Sequence, residues 1–307
     1  MSKFAERLAA AVRLKQTPVV VGLDPRWESL PEQIRNAFPN QSLAGTASAY
    51  AEFCREVIDT VAPWVPAVKP QVAFFEQLGP LGLAALAEVI AHARRKNLLV
   101  IVDAKRSDIG STAEAYASAY FGPTASWPAD ALTVSPYLGE DSLSPFIASA
   151  IQCGSGLFVL VKTSNPGGGQ FQDLLCGMQT LYRHVAAYVE NVAAQDAGPS
   201  GYGSLGAVTG ATYPEELAEL RAAMPHAWLL VPGFGSQGGT AKDVSAAFAS
   251  DGLGALVNNS RGIIFAYQSK RFAGLAQNQW QNAVESATRE MIEELAAQSN
   301  AGRLRIK

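Results

Sequence analysis

Cysteine is scarce in this chain: Cys54, Cys153 and Cys176 stand far apart among 307 residues, with no CxxC pair. A disulfide framework and a cysteine-based zinc site are excluded on that ground, each cysteine reads as a small buried hydrophobe, and a reducing cytoplasm is the expected compartment. An excess of charge of one sign is also missing. Twenty-four Lys and Arg stand against 27 Asp and Glu, so no basic field exists to neutralise nucleic-acid phosphates. No apolar run approaches the roughly 20 residues of a membrane helix, and residues 1–22 lack a signal-peptide cleavage pattern. They read instead as the start of a folded domain, a helix with Phe4, Leu8 and Val12 at i, i+4 and i+8. The three histidines, His92, His184 and His226, fall on expected helices or a loop, so metal chemistry has no support from ligand spacing.

What is present is a chain 48% hydrophobic and 17% charged, able to bury a core without staples. Its apolar residues come in eight short runs, at 18–24, 65–70, 98–105, 131–136, 156–164, 206–210, 228–235 and 255–262. Between and after them helical periodicity appears at 43–60, 80–96, 111–120, 140–152, 171–195, 214–223, 239–250 and 275–299. Each run is nearly continuous rather than alternating, as expected of parallel strands buried on both faces. A doubly wound sheet more often has five to seven strands, whereas eight βα units fit a closed (β/α)8 TIM barrel, a single domain over 1–307. The Gly-rich stretch 194–206 reads as a surface loop feeding the sixth strand.

Polar residues collect at the C-terminal ends of these runs: Asp24, Lys69, Asp103 with Lys105, Lys162 with Thr163 and Ser164, then Gln237 and Arg261. In a barrel those ends converge on one mouth, where the chemistry of this architecture sits. Asp103 and Lys105 are two apart, so an extended chain points both to the same side, and Asp108 follows in the next turn. Opposite charges nearby favour the charged form of a lysine, which makes it a proton donor with a fixed position.

The pattern Asp-x-Lys-x-x-Asp-Ile-Gly-x-Thr, filled by Asp103, Lys105, Asp108, Ile109, Gly110 and Thr112, closely resembles the signature of the orotidine 5'-phosphate decarboxylase family. Further segments agree in order: VGLDP with Asp24, AVKPQVAFFE with Lys69, VKTSNPGG with Ser164, VPGFGSQGG with Gln237 and NNSRGI with Arg261. The resemblance spans about residues 19 to 267 and is similar to the longer bacterial form. It implies a charge network of Lys69, Asp103, Lys105 and Asp108. It also implies a homodimer in which Asp108, Ile109 and Thr112 reach the neighbouring active site, with Asp24 on a ribose hydroxyl and Ser164 on the pyrimidine. Gln237 would contact both phosphate and base.

The implied reaction is loss of CO2 from C6 of orotidine 5'-phosphate to give UMP, with no metal or organic cofactor. The C6 carbanion has no ordinary electron sink, so the site's own electrostatics must lower the barrier. Lys105 would stabilise that charge and then protonate C6, with Asp103 near the departing carboxylate. For the phosphate, residues 233–239, Gly238 among them, and 258–262 are Gly-containing turns whose backbone N–H groups can cradle it, and Arg261 adds a bidentate partner. The Gly-rich turn alone is equally compatible with a structural role. Residues 165–170, NPGGGQ, read as a cover whose glycines permit closure. A sister group of magnesium-dependent sugar-phosphate lyases and decarboxylases shares Asp-x-Lys-x-x-Asp but needs an acidic metal ligand where this chain has Lys69. A non-catalytic nucleotide-binding barrel should have lost a member of the charge network, and none is missing.

Overall fold

Eight short segments of branched and apolar residues pair side by side as the parallel strands of a closed barrel. They are β1 (Val19–Leu23), β2 (Ala67–Pro70), β3 (Leu99–Arg106), β4 (Ala131–Val134), β5 (Gly156–Lys162), β6 (Leu205–Thr209), β7 (Leu229–Val231) and β8 (Ala255–Asn259). β8 closes on β1 through Val19 opposite Val257 and Val20 opposite Asn258. The computed structural model describes residues 2–211, 214–235, 239–272 and 279–306. All eight expected strands form, and the (β/α)8 barrel is the observed architecture.

The continuity of the apolar runs follows from two cores. Val20, Ala67, Ile101, Ala131, Phe158 and Leu230 pack together inside the barrel, while their neighbours Val19, Val21, Val68, Val100, Val102 and Leu132 pack outward. The outer layer comprises α2 (Leu43–Val61), α3 (Gly79–Arg95), α4 (Gly110–Tyr120), α5 (Glu140–Cys153), α6 (Leu181–Gln195), α7 (Pro214–Ala223) and α8 (Trp280–Gln298), with α1 (Phe4–Lys15) set apart from it.

Helix α1 plugs the N-terminal end of the barrel. Phe4, Leu8 and Val12 join the interior cluster, and Phe4 meets Phe158 edge-on at 6.1 Å. Gly156 has no room for a side chain, because a Cβ there would lie 2.1 Å from the Phe4 ring. Burying these three side chains is worth about 1.5–3 kcal/mol each. The stretch 194–206 is more than the surface loop expected from its composition, because it clasps this plug. Ser200 donates to Glu6 Oε1 from both its backbone N (3.0 Å) and its Oγ (2.7 Å), Asp196 accepts from Lys3 Nζ at 2.7 Å, and Tyr202 packs on Trp228 at 4.9 Å.

Two expected helices are not formed as such. Within 171–195, Phe171, Leu174, Leu175 and Met178 carry the i, i+3, i+4, i+7 spacing of a helix, yet all four are exposed. The chain there makes a helical turn (Gly169–Gln172) and a hairpin pairing Leu175–Cys176 with Gln179–Thr180 around Gly177, whose φ of 69° suits glycine; only then does α6 begin. Cys176 therefore lies exposed on a hairpin, against the expectation of a buried helical position, and Cys153 is half-buried; Cys54 alone is a core residue. Over 239–250 a single 3-10 turn, Ser245–Ala247, replaces the helix. Asp243 Oδ2 accepts from the Thr240 N–H (2.8 Å) and hydroxyl (2.7 Å), a local alternative to helical bonding.

Candidate active site

At the C-terminal mouth, Asp103 is the hub. Its Oδ2 accepts from Lys69 Nζ at 2.5 Å and Gln71 Nε2 at 3.1 Å, and its Oδ1 accepts from Lys105 Nζ at 2.5 Å and Thr133 Oγ1 at 3.0 Å. Neighbouring strands supply these groups: Lys69 from the end of β2, Asp103 and Lys105 from β3, Thr133 from β4. Burial alone would raise the Asp103 pKa, but the two ammonium groups outweigh it and hold the carboxyl far below the usual carboxylate range. For Lys69, burial favours the neutral amine, yet the charges of Asp103 and Asp24 raise its pKa. The two lysines differ in access: the Lys69 side chain is 6% exposed and that of Lys105 45%.

Lys105 does not meet Asp103 by simple strand alternation. Its φ is +50°, in the left-handed region, and the β3–β4 register shifts between Val102 and Arg106. A non-glycine residue held there costs roughly 1–2 kcal/mol. Thr133 offsets that cost, its Oγ1 accepting from the backbone N of Ala104 (3.0 Å) and of Lys105 (2.9 Å) while donating to Asp103. One hydroxyl thus fixes both the carboxylate and the backbone that carries the exposed ammonium.

The other expected residues gather at the same mouth to differing degrees. Asp24 follows β1, and its Oδ1 is buried without a hydrogen-bond partner among the described residues, as is Asn258 Oδ1 on β8. Ser164 follows β5, and its backbone passes so close to Gly210 that a Cβ there would come within 2.9 Å. Arg261 is exposed at the start of a helical turn (Arg261–Ile264) directly after β8. Beside it, Gly262 N donates to Asn259 Oδ1 at 3.2 Å. Gln237 and Gly238 lie outside the described residues; their flanks are joined by Gly235 N donating to Gly239 O at 2.8 Å.

Asp108 is not drawn into the Asp103 cluster. Its Oδ1 accepts from the Ile109 N–H at 2.9 Å, and Ile109 and Thr112 are exposed beside it. The histidines stay away from the mouth, His92 on Asp59, His184 on the Cys176 carbonyl and His226 on Glu190. Sequence reasoning missed Thr133 and Gln71. Thr133 could have been found as a hydroxyl flanked by Leu132 and Val134 within the apolar run 131–136, whereas Gln71 carries no comparable signal.

Comparison with known proteins fits this arrangement. Residues 17–276 match the profile of the "Orotidine 5'-phosphate decarboxylase / HUMPS family". The chain is 53% identical over 300 residues to an orotidine 5'-phosphate decarboxylase of Rhodopirellula baltica, covering 96% of this chain and 99% of that one. It is 42% identical over 291 residues to the enzyme of that name from Cupriavidus metallidurans, covering 94% and 97%. Among solved structures it superposes on Leishmania donovani OMP decarboxylase with a TM-score of 0.74 and 36% identity, covering 97% of this chain and 98% of the other.

Proposed function

The chain belongs to the orotidine 5'-phosphate decarboxylase / HUMPS family and decarboxylates orotidine 5'-phosphate to UMP, and we propose that Lys105, Asp103 and Lys69 carry the reaction. The observation behind this reading is one carboxylate held at 2.5 Å by two ammonium groups, only one of which is open to the mouth. Lys69 is the buried counter-charge that keeps Asp103 ionised. Asp103 faces the substrate carboxylate and disfavours it relative to the carbanion that follows. The C6–carboxylate bond breaks with its electron pair left on C6, and CO2 departs. Lys105 stabilises that pair, donates its proton to C6, and regains one from solvent.

Binding is divided around the mouth. Asp24, whose buried Oδ1 has no hydrogen-bond partner among the described residues, takes a ribose hydroxyl, and Ser164 hydrogen-bonds the pyrimidine. Arg261, Gln237 and the N–H groups around Gly238 take the phosphate after β7 and β8, the usual phosphate position of such barrels. Asp108, Ile109 and Thr112 serve the active site of a two-fold partner. Supporting this are the bond that Asp108 Oδ1 accepts from the Ile109 N–H, in place of one from Lys69 or Lys105, and the exposed apolar side chains on α4 and its flanks and after β4: Ile109 54%, Tyr116 38%, Tyr137 77% and Leu138 49%. No helix among the described residues is long and apolar enough to cross a membrane. The compartment we assign is the cytoplasm, in keeping with three free cysteines.

The chemistry is assigned as metal-free, because a cationic Lys69 stands where an enediolate-binding magnesium would need an acidic ligand. The test is the ultraviolet absorbance change when orotidine 5'-phosphate is converted in excess chelator. Undiminished turnover is expected, and strict dependence on added magnesium would overturn the assignment.

A further inference from the structure

Lys162 is a strand-end cation that the Asp103 network does not use. Between β5 and β6 the register shifts, Leu160 standing opposite Val208 and Lys162 opposite Thr209. Such an irregularity re-aims a side chain. The Lys162 side chain runs outward under the helix layer, 4.8 Å from the Tyr182 ring centroid on α6, ion-paired with Asp173 and 3.6 Å from Glu216 Oε2 on α7. It is 4% exposed. Burial opposes its charge, but the hydrogen bond it donates to Asp173 and the nearby Glu216 raise its pKa, so the ammonium persists.

These contacts close the loop after β5. Next to the Lys162–Asp173 pair, the Thr163 N–H donates to Gln172 Oε1 at 3.0 Å and Gln172 Nε2 donates to Thr163 Oγ1 at 2.8 Å. Two adjacent residues at the start of the loop are thus stitched to two adjacent residues at its end. Ser164 is the first residue inside the stitch, and three glycines, Gly167 to Gly169, follow it. Without the stitch a loop this rich in glycine would lose much conformational entropy on ordering.

We propose that Lys162 is a positioning residue for substrate binding: its pair with Asp173 closes the 163–172 loop so that Ser164 is presented to the pyrimidine before substrate arrives. The inference rests on the assignment of Ser164 above. A hydrogen bond to the base is present in both the bound substrate and the transition state, so its loss raises KM more than it lowers kcat. Lys162→Met, which keeps the stem over Tyr182, should raise KM and the UMP dissociation constant about 5- to 10-fold with kcat within about twofold. Lys162→Arg should restore most of the loss. Asp173→Asn should reproduce it from the exposed side of the pair, and serves if Lys162→Met fails to fold.

Ser164→Ala separates the two claims. If Ser164→Ala alone leaves KM and UMP affinity unchanged, the assignment of Ser164 fails and this inference with it. If Ser164→Ala, Lys162→Met and Asp173→Asn each weaken binding alone, and neither pair variant adds to Ser164→Ala in the double variants, Lys162 acts through Ser164 as proposed. If Ser164→Ala weakens binding but the pair variants are silent, or their effects multiply with it, Ser164 keeps its role and the positioning role of Lys162 is wrong.

Discussion

Replacing Lys69 with Met removes one half of a buried ion pair while keeping most of the side-chain volume. Lys69 and Asp103 are 5% and 6% exposed, with Nζ 2.5 Å from Oδ2. Stranding one member of such a pair costs about 3–5 kcal/mol. Asp103 would keep three donors, Gln71 Nε2, Thr133 Oγ1 and Lys105 Nζ, which points to the lower end. At about 2.1 cal/mol/K of unfolding entropy per residue, a chain of 307 residues gives about 0.65 kcal/mol/K, so about 3 kcal/mol lowers Tm by about 5 °C.

The pH dependence carries the sign. The folded Asp103 pKa is depressed, so in the parent protein its contribution to stability is present above the unfolded value near 4 and is lost as pH falls toward the folded value. The Lys69 pKa is raised, so its contribution is fully present below the unfolded lysine value and constant through this range. In Lys69→Met the Asp103 carboxyl moves up, and once it takes a proton the stranded charge is gone. The Tm gap between parent and variant should therefore be widest at pH 7 and narrow by pH 4, as followed by circular dichroism. The double variant Lys69→Met/Asp103→Leu should regain part of the loss, because no buried charge remains. A loss under about 1 °C at pH 7, or a gap equal at both pH values, would refute the reasoning.

Lys105→Ala should abolish measurable decarboxylation while leaving Tm within about 2 °C, because its side chain is 45% exposed and has little packing to lose; activity near the parent level would mean that another group protonates C6. Arg261→Ala should lower kcat/KM by about 2–3 kcal/mol, roughly 30- to 160-fold, through the phosphate. On a substrate lacking that phosphate the two proteins should differ little, and an equal deficit there would assign Arg261 to the fold or to the catalytic charges. Asp108→Ala and Lys105→Ala should each be nearly inactive alone, yet subunit exchange should restore about a quarter of parental activity, since half the dimers are mixed and each has one intact site of two. Mixed dimers isolated by tagged-subunit separation and still inactive would rule out shared sites.

What the linear chain determined was whatever depends on composition and period. Eight continuous apolar runs read as parallel strands buried on both faces, and their number fits a barrel better than a doubly wound sheet; in a barrel the charges at their ends meet at one mouth, so Lys69, Asp103 and Lys105 were legible together. Phe4, Leu8 and Val12 announced α1, because a helix stripe needs only its own spacing. Tertiary structure decided the cases where two local solutions share one pattern. Phe171, Leu174, Leu175 and Met178 have helical spacing, but all four are exposed, and Gly177 turns the chain into a hairpin. Lys105 and Asp103 converge through a left-handed residue and a register shift held by Thr133 on the next strand, a contact that exists only once β3 and β4 are paired. The same holds for Lys162, whose position at a strand end suggested the mouth, whereas the shift between β5 and β6 sends it beneath the helices. Spacing can place a residue at the end of a strand; which way its side chain leaves depends on the register of the neighbouring strand.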